Sequence, residues 1–251
     1  MLDHGGWGRA DLVLLPPRPS LAEVVEFIWV DTWNAARRPP TRFRIVADDA
    51  PHVIWHVHGG RHRSQTLGVV GARSTFSDLD VSKRLLTVGI RLRPGALPLL
   101  AGRSARHLTD RTIRIDARLA RGAGANPERV IEMLTDYVGE RAAGCETHRF
   151  VRCARSLDPR RSHSVRDIAR DLDINERSLR NLSRDHLGLS LKQFMKIRRL
   201  HAALGLAHSA TRLSWSRIAS EAGYSDQAHL IRDCRALLGE TPARFLERAA
   251  G

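Results

Sequence analysis

The sequence predicts an α+β chain: a β-rich first half, then an all-α C-terminal domain in which two helix-turn-helix motifs are joined by one long helix. Three observations carry this. Val165, Ile168, Ala169 and Leu172 recur at i, i+3, i+4 and i+7, the spacing of an amphipathic helix with one apolar face. Trp215, Ile218, Ala219 and Ala222 repeat that spacing fifty residues later. The first half instead carries short runs rich in branched residues with turn residues between them, a pattern of small antiparallel sheets or barrels.

In chain order, Pro16, Pro17 and Pro19 form a stiff entry, and Ser20-Leu21-Ala22-Glu23 reads as a capping box opening a short helix through Phe27. Trp29 and Trp33 begin the region of β character. The expected strands are Phe43 to Val46, Val53 to Val57, Thr66 to Val70 and Leu85 to Leu92. Pro94-Gly95 stops the last of them, and Ala96 to Ala101 reads as helical. Arg118 to Asn126 is a connection containing Gly and Ala. Pro127 to Tyr137 is a helix with Pro in its first turn. Its Val130, Ile131, Leu134 and Val138 share a face suited to packing on its own domain or to a dimer contact. Arg141 to Thr147, marked by Gly144, is the expected linker, and Phe150 to Leu157 opens the second half.

Each repeat continues in the same way. A break residue that tolerates positive φ, Asp173 or Gly223, is followed by an apolar plug, Ile174 or Tyr224. A cap comes next, Asn175 in the first copy and Ser225 or Asp226 in the second, and then a helix that supplies Leu179 and Leu182, or Leu230. Between the copies Phe194, Ile197, Leu200 and Leu204 keep helical spacing from Ser190 to Ala207, among Lys192, Lys196, Arg198 and Arg199.

Lys plus Arg number 41 against 27 Asp plus Glu, a net charge of +14 that suits a polyanionic partner. Only Lys83, Lys192 and Lys196 are lysines, so placement of the arginines carries more weight than the total. A hydrophobic content of 42% argues against disorder. Cys145, Cys153 and Cys234 form no framework and no C-x-x-C pair, which fits a reducing compartment. With no signal peptide and no spanning apolar run, a cytoplasmic protein without a membrane partner is expected.

The C-terminal hundred residues resemble the DNA-binding domain of the AraC/XylS family of transcription regulators. The residues that carry the likeness are Ser178-Leu179-Arg180, His186-Leu187-Gly188, Arg199-Leu200, Ile218-Ala219, Ala222 to Gln227, His229, Gly239 and Thr241-Pro242. The chain departs from the family where Ser183, Leu230 and Cys234 replace the usual Phe, and where Asp173 replaces Gly. Ser183 implies a less stable first motif on the same fold. From Leu85 to Asp116 the chain is similar to the N-terminal domain of one subgroup of these regulators, in which a strand ending in Arg-x-Pro-Gly precedes a helix. That implies a cupin-like β domain with appended helices. The expected division is a β-rich effector or dimerisation domain over 1–116, a helical linker region over 117–147 and the DNA-binding domain over 148–251.

Arg177, Arg180, Asn181 and Arg184 fall on one helix face opposite Leu179 and Leu182. Arg can pair with guanine and Asn with adenine through two hydrogen bonds in the major groove. The resemblance places base contacts on Arg177, Arg180 and Asn181. In the second motif the matching positions are Ala228, Ile231, Arg232 and Arg235, with Gln227 near the helix start. Ala228 and Ile231 suit thymine methyl groups and Arg232 a base edge, whereas His229 reads as a packed or phosphate-facing residue. Helix starts near Ser164, Ser214 and Ser225 offer amides to phosphates, and Arg198 is expected to face the DNA backbone.

His52, His56 and His58 share the parity of one strand face, with His62 just beyond, but the acid that completes a cupin metal motif is missing. No metal or other cofactor is therefore expected. Trp55, His56, Arg91 and Arg93 are the candidate lining of an effector pocket. A metal-dependent cupin-type enzyme with a DNA-binding tail, and a non-specific nucleic-acid-binding protein, are the alternatives. The ordered Arg/Asn faces favour a sequence-specific regulator that is not an enzyme. Its partner is double-stranded DNA, with room for RNA polymerase and a small-molecule effector, and it acts as a monomer or homodimer.

Overall fold

The computed structural model describes residues 12–33, 41–58, 64–81, 85–115, 126–161, 163–209 and 214–250. The first half is built on strands β1 (Leu12–Leu15), β2 (Val25–Trp33), β3 (Thr41–Ile45), β4 (His52–His58), β5 (Ser64–Val70), β6 (Ser77–Val81), β7 (Leu85–Leu92) and β8 (Thr112–Ile115). Six of them form one antiparallel sheet in the order β1-β2-β7-β4-β5-β8, and β3 pairs with β6 in a second. The alternation of side chains along a strand gives the large sheet two different faces. One presents Ile28, Val30, Val53, Trp55, Val57, Leu67, Val69, Val88, Ile90 and Leu92 to a core completed by helices α1 (Leu97–Ala101) and α2 (Pro127–Ala142). The other carries Trp29, His52, Ile54, His56 and Thr87 and faces a cavity.

This arrangement corrects the expected helix over Ser20 to Phe27. Pro19–Leu21 is a single 3-10 turn, and the chain is already a strand at Val25, paired with Leu92 of β7. Val24, Val25, Phe27 and Ile28 are branched or aromatic and all buried, and the long ladder to β7 outweighs a local capping box. The helix α2, expected within a linker region, has Val130, Leu134 and Val138 fully buried against the sheet, so it packs on the first core. Arg118 to Ala125, most of the expected connection, lies outside the described residues.

The second half is helical: α3 (Arg149–Ser156), α4 (Val165–Asp171), α5 (Glu176–Leu182), α6 (Leu191–Ser209), α7 (Trp215–Glu221), α8 (Gln227–Leu238) and α9 (Pro242–Ala250). Asp173 takes φ 54° after α4 and Gly223 φ 81° after α7, as the break residues require. A Cβ on Gly223 would stand 1.9 Å from the Arg160 carbonyl oxygen, so only glycine fits that turn. Ser164, Asn175, Ser214 and Asp226 cap α4, α5, α7 and α8 through side-chain oxygens. Of the two candidates for the last cap, Asp226 takes the role.

Ser183 is fully buried, and its hydroxyl donates to the Leu189 carbonyl at 2.8 Å. It opens a π-helical turn over Ser183–Leu187 that follows α5 directly.

The halves are docked. Val46, Ala47 and Ala72 of the first half belong to the core of the second. The Ala47 amide donates to the Leu237 carbonyl at 3.1 Å, Thr75 to Ala236 at 3.1 Å and Arg44 to Leu238 at 3.4 Å, so the end of α8 is held by the β domain. On the other side Ser104 and Arg106 reach Asp185 at 2.6 and 2.7 Å, and Thr109 donates to Gly188 at 2.5 Å. The turn that trails α5 is held in the same way.

Candidate nucleic-acid interface and ligand cavity

The helix α5 exposes Arg177, Arg180 and Asn181 while Leu179 is fully buried, and Arg184, expected on the same helix, is exposed from the π-helical turn that follows it. The four side chains therefore share an open polar face, and Arg180 makes an i, i+4 ion pair with Glu176 at 2.7 Å. On α8, Gln227, Ala228, Arg232 and Arg235 are exposed and Ile231 is half-buried, opposite fully buried Leu230 and Cys234. Gln227 accepts from Ser216 at 2.9 Å. His229 packs edge-on against Tyr224, with ring centroids 5.0 Å apart, and lies 3.2 Å from Ser225. It is a packed residue.

The two faces are carried on α6, which at 19 residues is about 28 Å long. Lys196 of α6 pairs with Asp233 of α8 at 3.0 Å, and Arg199 lies over the Tyr224 ring at 5.6 Å, which fixes α8 on that helix. Arg198 does not face outward as expected. Its guanidinium donates to the carbonyls of Ala154, Arg155 and Leu157, each at 3.2 Å, and sits 3.9 Å from an Asp49 oxygen. The exposed end of α3 attracts it because the last carbonyls of a helix lack partners.

The cavity of the β domain has a volume of about 590 Å³. Phe27, Trp29, Ile54 and Val70 give it apolar walls, and His52, His56, Thr87 and Arg114 give it polar groups. His52 is held between Asp48 at 2.8 Å and the Trp29 indole at 3.3 Å, and His56 lies 2.9 Å from Thr87. Glycine at 89 makes room for Trp29, whose ring would be 2.2 Å from a Cβ there. Of the four sequence candidates only His56 lines this cavity. Trp55, its neighbour on the strand, must point to the opposite face and is fully buried in the helix-side core. Arg91 and Arg93 line a separate cleft between the two halves. His58's side chain and His62 lie outside the described residues.

A buried charge cluster sits where that cleft meets the first core. Arg91 reaches Asp48 at 2.6 Å and Asp49 at 2.9 Å, and also pairs with Glu26. Burial and the neighbouring Asp48 raise the Asp49 carboxyl to about 7, and burial takes the His201 imidazole of α6 down to about 4. Asp48, Asp49 and His201 offer three ligand atoms within 4.8 Å of one another. The Arg91 guanidinium already bridges the two carboxylates where a cation would sit, so the cluster reads as an ion-pair network. Sequence pattern could not reveal it, because its members come from β2, the turn before β4, β7 and α6.

The family comparisons divide the chain in the same way. Residues 14–114 match the model of a domain of unknown function, DUF6597, and residues 168–248 match that of a helix-turn-helix domain. None of the curated proteins compared with the chain matches it. The structure of ToxT from Vibrio cholerae covers 89% of this chain and 99% of its own, with 11% identity and a TM-score of 0.51, which shows a shared fold. A DNA-binding transcriptional dual regulator from Escherichia coli K-12 covers 43% of this chain and 96% of its own at 23% identity and a TM-score of 0.37. A probable AraC family transcriptional regulator from Rhodopseudomonas palustris covers 38% and 88% at 27% identity and a TM-score of 0.34.

Proposed function

We propose that the chain is a DNA-binding transcription regulator of the AraC/XylS family rather than an enzyme, and that it reads a specific site by placing α5 and α8 in successive major grooves. The observation that carries this reading is the open face of Arg177, Arg180 and Asn181 on α5, continued by Arg184 in the turn that follows, together with the exposed face of α8 packed on α6. Two such helices fit grooves about one turn, roughly 34 Å, apart. On α5 the Arg and Asn side chains supply hydrogen bonds to base edges. On α8, Arg232 does so while Ala228 and Ile231 meet thymine methyl groups, and Gln227 and Arg235 flank them. The capped starts of α4, α7 and α8 present amides to phosphates.

In this reading residues 148–251 are the DNA-binding domain of a cytoplasmic protein, and the β domain modulates it. The apolar cavity with a few convergent polar groups is of the size that takes a small organic effector. Selection of bound fragments from random DNA at physiological salt, followed by binding of Arg180→Ala to the selected site, tests the function. A defined site in which one base position relaxes with Arg180→Ala supports it. Equal weakening on selected and scrambled DNA would favour a charge-only coating protein.

A further inference from the structure

The cleft between the two halves has a volume of about 270 Å³ and is lined by four arginines, Arg91 and Arg93 from the first half and Arg155 and Arg198 from the second, and by the carboxylates Glu26 and Asp49. The arginines' partners are unequal. Arg91 takes Glu26, Asp48 and Asp49, and Arg198 lies 3.9 Å from Asp49, so both lining carboxylates are already paired. Arg93 donates to the Ala22 carbonyl at 2.6 Å, and Arg155 to those of Pro94 at 2.8 Å and Glu23 at 3.1 Å. Among the described residues neither Arg93 nor Arg155 has a carboxylate within ion-pairing distance. Carbonyls satisfy N–H groups but do not neutralise a cation.

Two donors at the cleft have no acceptor. Arg91, whose side chain is 2% exposed, has its Nε buried without a hydrogen bond, and the same holds for Nη2 of Arg155. A buried unpaired donor costs free energy that an acceptor would recover. The arginines also repel one another. Burial first, then Arg198 and Arg93, bring Arg91 down to about 9; burial and Arg93 bring Arg155 to about 10 against the opposing pull of Glu23, which lies near it without forming an ion pair. Close cations, spare donors and a space too small for a bulky molecule all call for one compact negative group.

We propose that this interdomain cleft is a binding site for a small oxyanion, the phosphate or carboxylate of a small molecule, held by Arg93 and Arg155 and reached by Arg91 and Arg198. The planar fork of a guanidinium suits either group through paired N–H donors. Because the ligand contacts both halves, its binding favours the docked arrangement. The site is separate from the β-domain cavity and from the DNA-facing helices, so its test needs no DNA.

The experiment is calorimetric titration of the full-length, DNA-free protein with sodium phosphate and with sodium succinate, at ionic strength held constant with chloride. The expected result is saturable binding of one anion per chain, weakened about tenfold or more in Arg93→Gln and Arg155→Gln and unchanged in Arg177→Gln on α5. Phosphate binding without succinate binding assigns a phosphate group, the reverse a carboxylate, and equal binding a site selective for charge and size. Both Arg93 and Arg155 also support the domain contact, so protection of Arg93 from phenylglyoxal in the unaltered protein provides a second readout, with phosphate or succinate at saturation. No saturable binding of either anion would overturn the proposal. So would binding that leaves Arg93 unprotected, or that is lost in Arg177→Gln and kept in the cleft variants.

Discussion

His201, on the helix that joins the two DNA-facing units, donates from Nε2 to the Ala47 carbonyl at 2.9 Å, directly before Asp48 and Asp49. Burial is the main reason its imidazole falls to about 4, with Arg91 and Arg198 acting in the same direction against Asp48 and the Ala47 carbonyl. Between that value and the ordinary 6.5 the unfolded chain binds the proton more readily. The stability His201 contributes is complete above pH 6.5 and is lost as pH falls through this window toward 4. Asp49, raised to about 7, acts in the opposite sense, since its folded form takes up a proton first. His201→Gln keeps a donor for Ala47 and removes only the imidazole. Urea unfolding between pH 7.5 and 4.5 should show the variant losing less stability on acidification, by on the order of a few kcal/mol at the acid end. Parallel curves for the two proteins would refute the assignment.

Arg198→Ala should act on stability and leave the electrostatics of DNA binding alone. Its guanidinium is spent on three carbonyls at the end of α3 and on Asp49. A side chain that neutralised a phosphate would change the slope of log affinity against log salt by about one unit. We expect that slope to be unchanged in Arg198→Ala while the melting temperature falls by several degrees, and a salt series with a melting curve measures both.

Base reading by α5 is expected to show in Arg180→Ala as a loss of about 1–3 kcal/mol on the selected site, confined to one base position. Arg180 is held by Glu176 at 2.7 Å without DNA, so a base contact has to release that pair. Binding to a panel of single-base variants of the site measures the effect, and a uniform loss over the panel would remove Arg180 from the reading set.

Ser183 gives a test of how the first helix pair tolerates its departure from the family. Ser183→Ala strips the Leu189 carbonyl of its donor and should cost about 1 kcal/mol. Ser183→Phe puts a bulky ring at a fully buried position and should cost about 1–3 kcal/mol through overpacking. Equilibrium unfolding decides; a stabilised Ser183→Phe would mean that the site has room for the ring.

Glycine at 223 should be irreplaceable where glycine at 102 is not. Both have positive φ, but a Cβ at 102 meets nothing within 4 Å while one at 223 collides with the Arg160 carbonyl. Gly102→Ala should cost about 1–2 kcal/mol from its left-handed backbone alone. Gly223→Ala should lose clearly more, with α7 and α8 displaced, as thermal melting and amide exchange in those helices would report.

The helical half was legible because its signals are local. Break residue, plug and cap recur in order around Asp173 and Gly223, and a helix face is settled by residues three and four apart. The β domain was legible where branched residues cluster between turn residues, as in Phe43 to Val46, Val53 to Val57, Thr66 to Val70 and Leu85 to Leu92. Ser20 to Phe27 misled because its capping pattern is local while its partner, β7, lies some sixty residues away. β1, β6 and β8 are short edge or surface strands with little alternation to detect. His56 found its cavity, whereas Trp55 beside it could not share that face, an inconsistency that strand parity alone exposes. The turn of Arg198 toward α3 depends on carbonyls more than forty residues distant and leaves no trace in its own helix.

If α5 and α8 read DNA as proposed, the grip of the β domain on their trailing ends makes the protein a ruler. Ser104, Arg106 and Thr109 hold one end of the span and Arg44, Ala47 and Thr75 hold the other. One base pair inserted between the half-sites rotates the second groove by roughly 35° and moves it about 3.4 Å along the duplex. With both helices anchored on one β domain, the spacing of a target would then be as much a part of its address as the bases themselves, and the β domain would keep the gauge.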